Sequence, residues 1–237
     1  RCINMPRFSY ASSFGYPEWQ IKDAEQTEHI GELLKSYIGL SVREITAQRI
    51  LNEKFGLNAQ LVCDPTLLHT NYEEFTGNLA PRDEVICYSL YDTPEPMRSA
   101  AKEISNFVGA PVRWIGAPIY VKGVHNTYLP DFYRWFRYMA ASKYILTNSF
   151  HGTVLALISK KPFAVLYKEN GLSSRIVDLL KQVGLDDRIY FSYHDFISSE
   201  SWKKEIDYAE VDNKLSIYRE KSWDYLKDVV KKINMSL

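Results

Sequence analysis

The chain has 237 residues, of which 46% are hydrophobic and 24% are charged. These are ordinary values for a globular protein, so disorder is excluded as its main state. Its 29 basic residues balance 29 acidic ones, and the formal net charge is zero. A chain-wide electrostatic case for binding nucleic acid or an anionic membrane is therefore excluded, although a local basic cleft stays open. The length corresponds to about 1.6 domains of ordinary size.

Cysteine spacing and hydropathy indicate a cytoplasmic location. Cys2, Cys63 and Cys87 form no known zinc or redox pattern, so we expect buried thiols in a reducing compartment. No apolar run reaches the roughly 18 residues of a membrane span, and no signal-peptide core follows the first residue. Because residue 1 is not Met, we expect the chain to belong to a longer protein.

Alternating apolar segments in the first part of the chain predict a β-α-β-α-β arrangement. The predicted strands cover 8–12, 39–42 and 60–63, and the predicted helices cover 23–38 and 45–55, the second stopped by Gly56. Strands that alternate with helices are typical of a parallel sheet. The aperiodic stretch over 70–82 then predicts a linker.

The alternation restarts after this stretch and continues to the end of the chain. Predicted strands cover 84–90, 111–115, 144–147 and 162–167, and predicted helices cover 96–108, 131–141, 153–159, 174–183 and 212–234. Residues 116–130 contain glycines and prolines and predict a long functional loop. Within this loop, Tyr120, His125 and Tyr128 are candidates for stacking on a ligand or hydrogen bonding to it. Outside the loop, Trp114, Trp135 and Phe136 are predicted core residues.

One strand–turn–helix segment carries the residues best suited to chemistry. Asn148, Ser149 and Thr153 follow the strand over 144–147 and can cap the next helix or donate to phosphate oxygens. A helix that opens at the carboxyl end of a parallel strand is an anion-binding site. Gly152 allows close approach to the backbone, and His151 can exchange a proton near neutral pH. Asn148 and Ser149 could instead have the purely structural role of capping the helix. His151 could instead be a capping or buried histidine that fixes the turn.

The same segment resembles the signature of the polysaccharide pyruvyl transferase family. The resemblance covers Thr147–Leu166, which begins Thr147-Asn-Ser-Phe-His-Gly-Thr153, and continues through Ser174–Arg188. Residues 10–15, 39–44 and 64–68 resemble upstream motifs of the family in the same order. The resemblance therefore extends over about residues 8–190.

This resemblance implies a fold of two Rossmann-like α/β domains arranged as in a GT-B glycosyltransferase. Residues 1–76 would be the C-terminal part of an N-terminal domain, and residues 77–237 a C-terminal domain whose last helix is a candidate to pack back on the first. The implied activity moves pyruvate from phosphoenolpyruvate onto a sugar of a cell-surface polysaccharide, or its precursor, as a ketal. No cofactor is implied besides this donor. A sugar or lipid-linked oligosaccharide would be the acceptor, and a peripheral position at the inner membrane stays open.

By this resemblance His151 and Arg43 are the leading catalytic candidates. The donor carries a phosphate and a carboxylate, and an arginine at the end of a parallel strand suits either group. The predicted substrate contacts are Asn148, Ser149, Gly152, Thr153, Ser41, Phe14, Lys168 and Arg175. A structural ion pair is the alternative for Arg43, and a surface charge is the alternative for Lys168 and Arg175. Ile45 stands where many relatives carry a second acid, which weakens a role for Glu44.

Two other function classes stay open from the sequence. A GT-B glycosyltransferase would bind a nucleotide sugar at the same helix, and it would need an acidic ribose contact for which only Glu169 is near. A non-catalytic anion- or sugar-binding remnant would bind neither of these donors tightly. Calorimetry with phosphoenolpyruvate and with UDP-sugars separates these classes.

Overall fold

The structure is a computed structural model of the chain, and the residues it describes are 5–76, 79–90, 95–116, 120–128, 130–167 and 174–236. They form two compact units. The first unit comprises Arg1–Leu68 and Glu210–Leu237, and the second comprises His69–Ala209. The domain boundary at residue 76 stays a prediction.

The first unit is built from short parallel strands and helices. Its strands are β1 (Arg7–Phe8), β2 (Tyr37–Gly39), β3 (Ser41–Val42) and β4 (Gln60–Leu61), and its helices before residue 69 are α1 (Ala24–Lys35), α2 (Ile45–Phe55) and α3 (Pro65–Leu68). β1 pairs with β2 and β3 pairs with β4, both in parallel. The predicted alternation of strands and helices is therefore confirmed here.

The two longer helices of this part end for different local reasons. α2 spans the predicted residues, and the N–H of Gly56, at a φ of 64°, donates to the carbonyl of Asn52, as a left-handed helix end requires. α1 begins after Asp23, whose side chain accepts from the Gln26 N–H, and ends before Ser36. The prediction of helix through residue 38 was wrong, because Tyr37 and its successors pair with β1 instead.

The second unit contains one six-stranded sheet with helices around it. Its strands are β5 (Val85–Ser89), β6 (Val112–Gly116), β7 (His125–Tyr128), β8 (Tyr144–Thr147), β9 (Phe163–Leu166) and β10 (Ile189–Tyr190), and its helices are α4 (Glu73–Thr76), α5 (Glu95–Val108), α6 (Phe132–Ala141), α7 (Phe150–Ile158), α8 (Ser174–Val183) and α9 (Tyr193–Ser199). Every pairing in the sheet is parallel. The order β10-β9-β8-β5-β6-β7 is that of a doubly wound Rossmann sheet. The predicted fold class, α/β with Rossmann-like parallel sheets, is confirmed.

The central strands of this sheet are buried on both faces. β8 and β9 have no exposed residue, as expected for a parallel sheet with helices on both sides. Of the predicted core aromatics, Trp114 and Phe136 are buried, and Trp135 is half-buried.

Several predicted elements of the second unit were wrong in kind or extent. The predicted linker contains α4, and Tyr72 beside it stacks on Phe136 with ring centres 5.3 Å apart. The predicted loop over 116–130 contains β7, an edge strand whose polar sequence gives no apolar alternation. α7 begins at Phe150 rather than at residue 153, because Ser149 caps it.

The last helix, α10 (Tyr208–Ser236), is longer than the predicted 212–234. Within the first unit, Tyr218 donates to the carbonyl of Val62 and Tyr225 donates to that of Ser9, both at 2.7 Å. These bonds fix the helix against the strands that precede it in the chain. None of the helices in the described ranges combines the length and apolar character needed to cross a bilayer.

Candidate anion-binding site

The carboxyl ends of β5 and β8 mark the point where the winding of the sheet changes direction. β5 continues through α5 to β6 on one side, whereas β8 lies on its other side. Ligands of open α/β sheets bind in the crevice outside such a switch point. Asn148 lies there and connects the two strand ends. Its Nδ2 donates to Ser89 Oγ at 3.0 Å, and its Oδ1 accepts from the Leu90 N–H at 3.4 Å.

Hydroxyl groups fix the turn that joins β8 to α7. Thr147 Oγ1 donates to the carbonyl of Tyr88 at 2.8 Å and accepts from the Ser149 N–H at 3.0 Å. Ser149 Oγ accepts from the Gly152 N–H at 3.3 Å, and Thr153 Oγ1 donates to the Ser149 carbonyl at 3.0 Å. Ser149 and Thr153 are buried and serve the helix start in this structure. Their contact with a substrate stays a prediction.

Gly152 has a packing reason that the sequence did not reveal. A Cβ at this position would lie 2.3 Å from Thr147 Oγ1 and 2.9 Å from Tyr88 Cδ1. Only glycine therefore lets the first turn of α7 lie directly against β8 and β5. Approach of a ligand to its backbone stays a prediction.

His151 and Arg175 both lie next to the Phe150 ring at this turn. His151 is exposed, and its ring meets that of Phe150 edge-on at 5.3 Å. The Arg175 guanidinium lies 5.7 Å from the centre of the Phe150 ring. Arg175 forms no ion pair with any described residue, so its charge is not matched there by a carboxylate. Lys168, predicted to join them, is outside the described residues.

Arg43, in the first unit, is matched by an acid on the neighbouring strand. It follows β3, and Asp64 follows β4; Arg43 Nη1 lies 2.5 Å from Asp64 Oδ2. Only 2% of the Asp64 side chain is exposed, and its Oδ1 accepts from both the N–H and the hydroxyl of Thr66. The ion pair considered as an alternative for Arg43 is present, with Asp64 rather than with Glu44. A role in substrate binding stays a prediction.

Glu44 is a buried acid whose structural importance sequence reasoning missed. Its Oε1 accepts from Ser13 Oγ at 2.9 Å, from the Phe14 N–H at 3.0 Å and from the Gly15 N–H at 3.3 Å. The carboxylate thus positions the turn that carries Phe14. The sequence held no local signal for this contact, because Phe14 and Glu44 are 30 positions apart.

Ser41 is likewise occupied within the first unit. Its hydroxyl donates to the carbonyl of Ser9 at 2.8 Å and accepts from the Ala11 N–H at 3.0 Å, and the residue is fully buried. The structure thus brings Ser41, Arg43 and Phe14 together in one unit. In the other it brings together Asn148, Ser149, His151, Gly152, Thr153 and Arg175.

One protein-family model covers predicted site residues from both units. The model of the polysaccharide pyruvyl transferase family matches residues 3–170, which is more than half of the chain and includes Arg43 and His151. The chain belongs to the polysaccharide pyruvyl transferase family. No curated protein is similar enough in sequence to count as a match.

Solved structures similar to this pyruvyl transferase family member support the fold. UDP-N-acetylglucosamine 2-epimerase from Rickettsia bellii is 16% identical with a TM-score of 0.50, over 98% of this chain and 70% of that one. Arabidopsis thaliana UGT89C1 complexed with UDP-L-rhamnose is 12% identical with a TM-score of 0.50, over 95% and 66%. At such identities the likeness shows the fold alone, and the neighbours are GT-B type glycosyltransferases and epimerases.

A third neighbour bears on length. UDP-GlcNAc 2-epimerase from Methanocaldococcus jannaschii, solved in complex with UDP-GlcNAc and UDP, is 14% identical with a TM-score of 0.48 over 77% of this chain. The pyruvyl transferase family member spans 61% of that epimerase, less than two thirds of its length.

Two cysteine thiols are the remaining candidates for a nucleophile in this family member. Burial raises the pKa of the Cys63 thiol and raises that of Cys87 well above its usual value. Both cysteines are buried and form no disulfide, which confirms the expectation that they are buried thiols. Their raised pKa values make them poor nucleophiles. Within the described ranges, no three His, Cys, Asp or Glu side chains are grouped so that they could hold a metal ion.

Proposed function

We propose that the protein is a polysaccharide-modifying transferase that moves pyruvate from phosphoenolpyruvate onto a sugar as a cyclic ketal. The observation that carries the proposal is the exposed His151 in the first turn of α7, at the switch point of the sheet. Membership of the family supports the reaction class. The acceptor is proposed to be a sugar of a cell-surface polysaccharide or of its lipid-linked precursor.

The local charge around this turn favours an anionic donor. The start of α7 presents the positive end of a helix dipole, and Arg175 adds a guanidinium without a carboxylate partner among the described residues. Phosphoenolpyruvate has a phosphate and a carboxylate, so it can use both elements. Arg43 is a further candidate, although Asp64 already matches its charge.

The proposed chemistry begins with a proton transferred to the methylene carbon of phosphoenolpyruvate. The adjacent carbon becomes electrophilic, one sugar hydroxyl adds to it, the bond to the phosphate oxygen breaks, and a second hydroxyl closes the ketal. Two carbon–oxygen bonds form and one breaks. One hydroxyl proton replaces the proton given to the methylene group, and the other leaves with inorganic phosphate.

His151 is proposed to shuttle a proton or to stabilise the departing phosphate. Phosphoenolpyruvate serves as substrate, and the proposed sequence of steps needs no additional cofactor. Because this donor is a metabolite of the cytoplasm, the reaction is assigned to that compartment.

Replacement of His151 by alanine tests the proposal most directly. We expect kcat/KM for phosphate release from phosphoenolpyruvate in the presence of acceptor to fall by about 10²–10⁴-fold. His29→Ala is the matched control, because His29 is an exposed histidine on α1 and its loss should leave turnover unchanged. Circular dichroism verifies that both variants fold. Undiminished turnover by His151→Ala contradicts the proposal.

Calorimetry with two donors tests the alternatives. Binding of phosphoenolpyruvate that His151→Ala weakens supports the proposed donor. Tight binding of a UDP-sugar without binding of phosphoenolpyruvate would instead indicate a glycosyltransferase. Binding of neither donor would indicate a non-catalytic remnant.

A further inference from the structure

A second cationic site lies in the second unit, between helix α6 and the segment that precedes β5. A groove of about 440 Å³ is lined by Leu79, Arg82, Asp131, Tyr133, Arg134, Arg137 and Tyr138; we call it the Tyr138 groove. Glu84, which Arg82 contacts, directly precedes β5, whereas Ser89 and the His151 turn lie at the carboxyl end. The groove shares no lining residue with the His151 turn.

Three guanidinium groups surround one aromatic ring in this groove. The carbon atoms of the Arg82, Arg113 and Arg134 guanidinium groups lie 4.7, 4.8 and 5.8 Å from the centre of the Tyr138 ring. The ring attracts each cation, but like charges this close also repel one another. Such a cluster is stabilised by any anion that enters it.

Part of this charge is matched within the protein. Arg113 binds Glu84 through two hydrogen bonds, of 2.9 Å from Nε to Oε2 and 2.6 Å from Nη2 to Oε1. Hydrogen bonding from Arg113 lowers the pKa of Glu84, which keeps that carboxyl group charged at neutral pH. Arg82 shares the same acid at 3.6 Å, and His125 Nδ1 lies 3.4 Å from it. Glu84 therefore neutralises mainly the charge of Arg113, and it forms a longer ion pair with Arg82.

The guanidinium groups of Arg134 and Arg137 have no ion-pair partner among the residues that the structure describes. Arg134 and Arg137 are exposed and one helical turn apart on α6, so they face the same side. Neither forms an ion pair with a described residue. The acid nearest to them in sequence, Asp131, accepts from the Arg134 backbone N–H at 2.8 Å as the helix cap. The groove thus keeps two guanidinium groups for a ligand in a chain whose net charge is zero.

An exposed aromatic ring lies beside these arginines. Tyr133 is 60% exposed, and its inner side stacks on Phe75 with ring centres 5.8 Å apart and an angle of 28°. A ring held in this way can stack on the C–H face of a sugar. Guanidinium groups bind carboxylates in a planar, two-bond geometry.

We propose that the Tyr138 groove binds an acidic glycan, with sugar carboxylates on Arg134 and Arg137 and a sugar ring on Tyr133. The inference rests on the polysaccharide class of substrate in the proposed function, but not on phosphoenolpyruvate as donor. A pyruvate ketal keeps its carboxylate, so the proposed reaction itself produces an acidic glycan. The groove would hold such product units away from the His151 turn.

The geometry favours a glycan over other polyanions. A protein that makes about 6–10 phosphate contacts needs a correspondingly large set of basic groups, whereas this groove offers two arginines without an ion-pair partner among the described residues. A membrane surface would need a protruding apolar face with basic residues around it, whereas these cations line a concave groove above the buried ring of Tyr138.

Calorimetry at low salt with a tetramer of galacturonic acid tests the proposal, with maltotetraose as the neutral probe. We expect binding of the acidic tetramer, no measurable binding of the neutral one, and at least a tenfold higher Kd for the double variant Arg134→Gln, Arg137→Gln. The control variant Lys221→Gln, Lys231→Gln removes the same charge from exposed positions on α10 and should bind as the wild type does. An unchanged Kd in the arginine variant overturns the proposal.

Two further measurements separate a glycan from other ligands. Tyr133→Ala should weaken binding of the acidic tetramer several-fold but leave that of a polyglutamate peptide unchanged. Equal loss for both probes, no loss for either, or binding of phosphatidylglycerol vesicles without binding of the tetramer overturns the proposal. His151→Ala should bind the tetramer normally, so a failure of the proposed transfer reaction is distinguishable from a failure of the groove.

Discussion

Arg43 was predicted as a catalytic residue and Arg175 as a substrate contact, and the structure gives the two guanidinium groups different electrostatic surroundings. Arg43 lies 2.5 Å from a buried carboxylate, whereas the Arg175 guanidinium lies 5.7 Å from the centre of the Phe150 ring and forms no ion pair with a described residue. The charge of the first is already used within the fold, while that of the second is available to a ligand. An arginine next to a strand end therefore has to be judged by the acids that other strands bring to it.

Removal of the Arg43 partner is expected to have the largest effect. Asp64→Ala leaves a largely buried guanidinium without its carboxylate and also removes the acceptor of Thr66. Breaking such a pair typically costs about 3–5 kcal/mol in the free energy of unfolding, which urea denaturation measures.

A surface pair provides the control for this experiment. Asp224, whose side chain is 64% exposed, lies 3.2 Å from Lys227 Nζ, so Asp224→Ala should cost less than about 1 kcal/mol. Equal costs for the two variants would show that the Arg43 pair is no more structural than a surface pair.

Overpacking at the start of α7, near Arg175, is expected to have an intermediate effect on the free energy of unfolding. Gly152→Ala forces a methyl group against Thr147 and Tyr88, and insertion into a packed site costs about 1–3 kcal/mol. Gly31→Ala is the matched control, because Gly31 also lies in a helix and its Cβ would meet only the Phe55 ring, at 3.0 Å. If both variants unfold at the same urea concentration, Gly152 is not fixed by packing.

Arg175→Gln is expected to change stability least and binding most selectively. Without an ion pair to lose, its free energy of unfolding should change by less than about 0.5 kcal/mol. The Kd for phosphoenolpyruvate should rise at least about tenfold, since a hydrogen bond to a charged group contributes about 1.5–3 kcal/mol. Calorimetry and urea denaturation on the same sample measure both quantities. If Arg175→Gln lowers stability but leaves the Kd for phosphoenolpyruvate unchanged, Arg175 has a structural role and the contrast with Arg43 is wrong.

The elements that the sequence predicts well are those with local signals. α2 has apolar periodicity and a glycine end, and β8 is a short apolar strand before a capping serine. β7 and α4 escaped prediction because polar strand residues and a single aromatic turn have no periodicity. The residues around His151 were identifiable because they are contiguous.

Contacts between distant segments explain what the sequence could not predict at the sites. The Arg43–Asp64 pair depends on the pairing of β3 with β4, and the reason for Gly152 depends on Tyr88 in another strand. The Tyr138 ring is surrounded by arginines from three separate segments, which no spacing rule connects.

The hydrogen bond between Asn148 and Ser89 joins residues 59 positions apart. The entropy of closing so long a loop must be overcome before these strand ends meet, so long-range pairing of this kind slows folding. We therefore expect the site to form after the local helices of the second unit. Amide exchange at Leu90, whose N–H donates to Asn148, reports how often the assembled site opens. A substitution far from His151 that delays strand pairing can thus reduce the yield of active molecules while leaving the chemistry of each one intact.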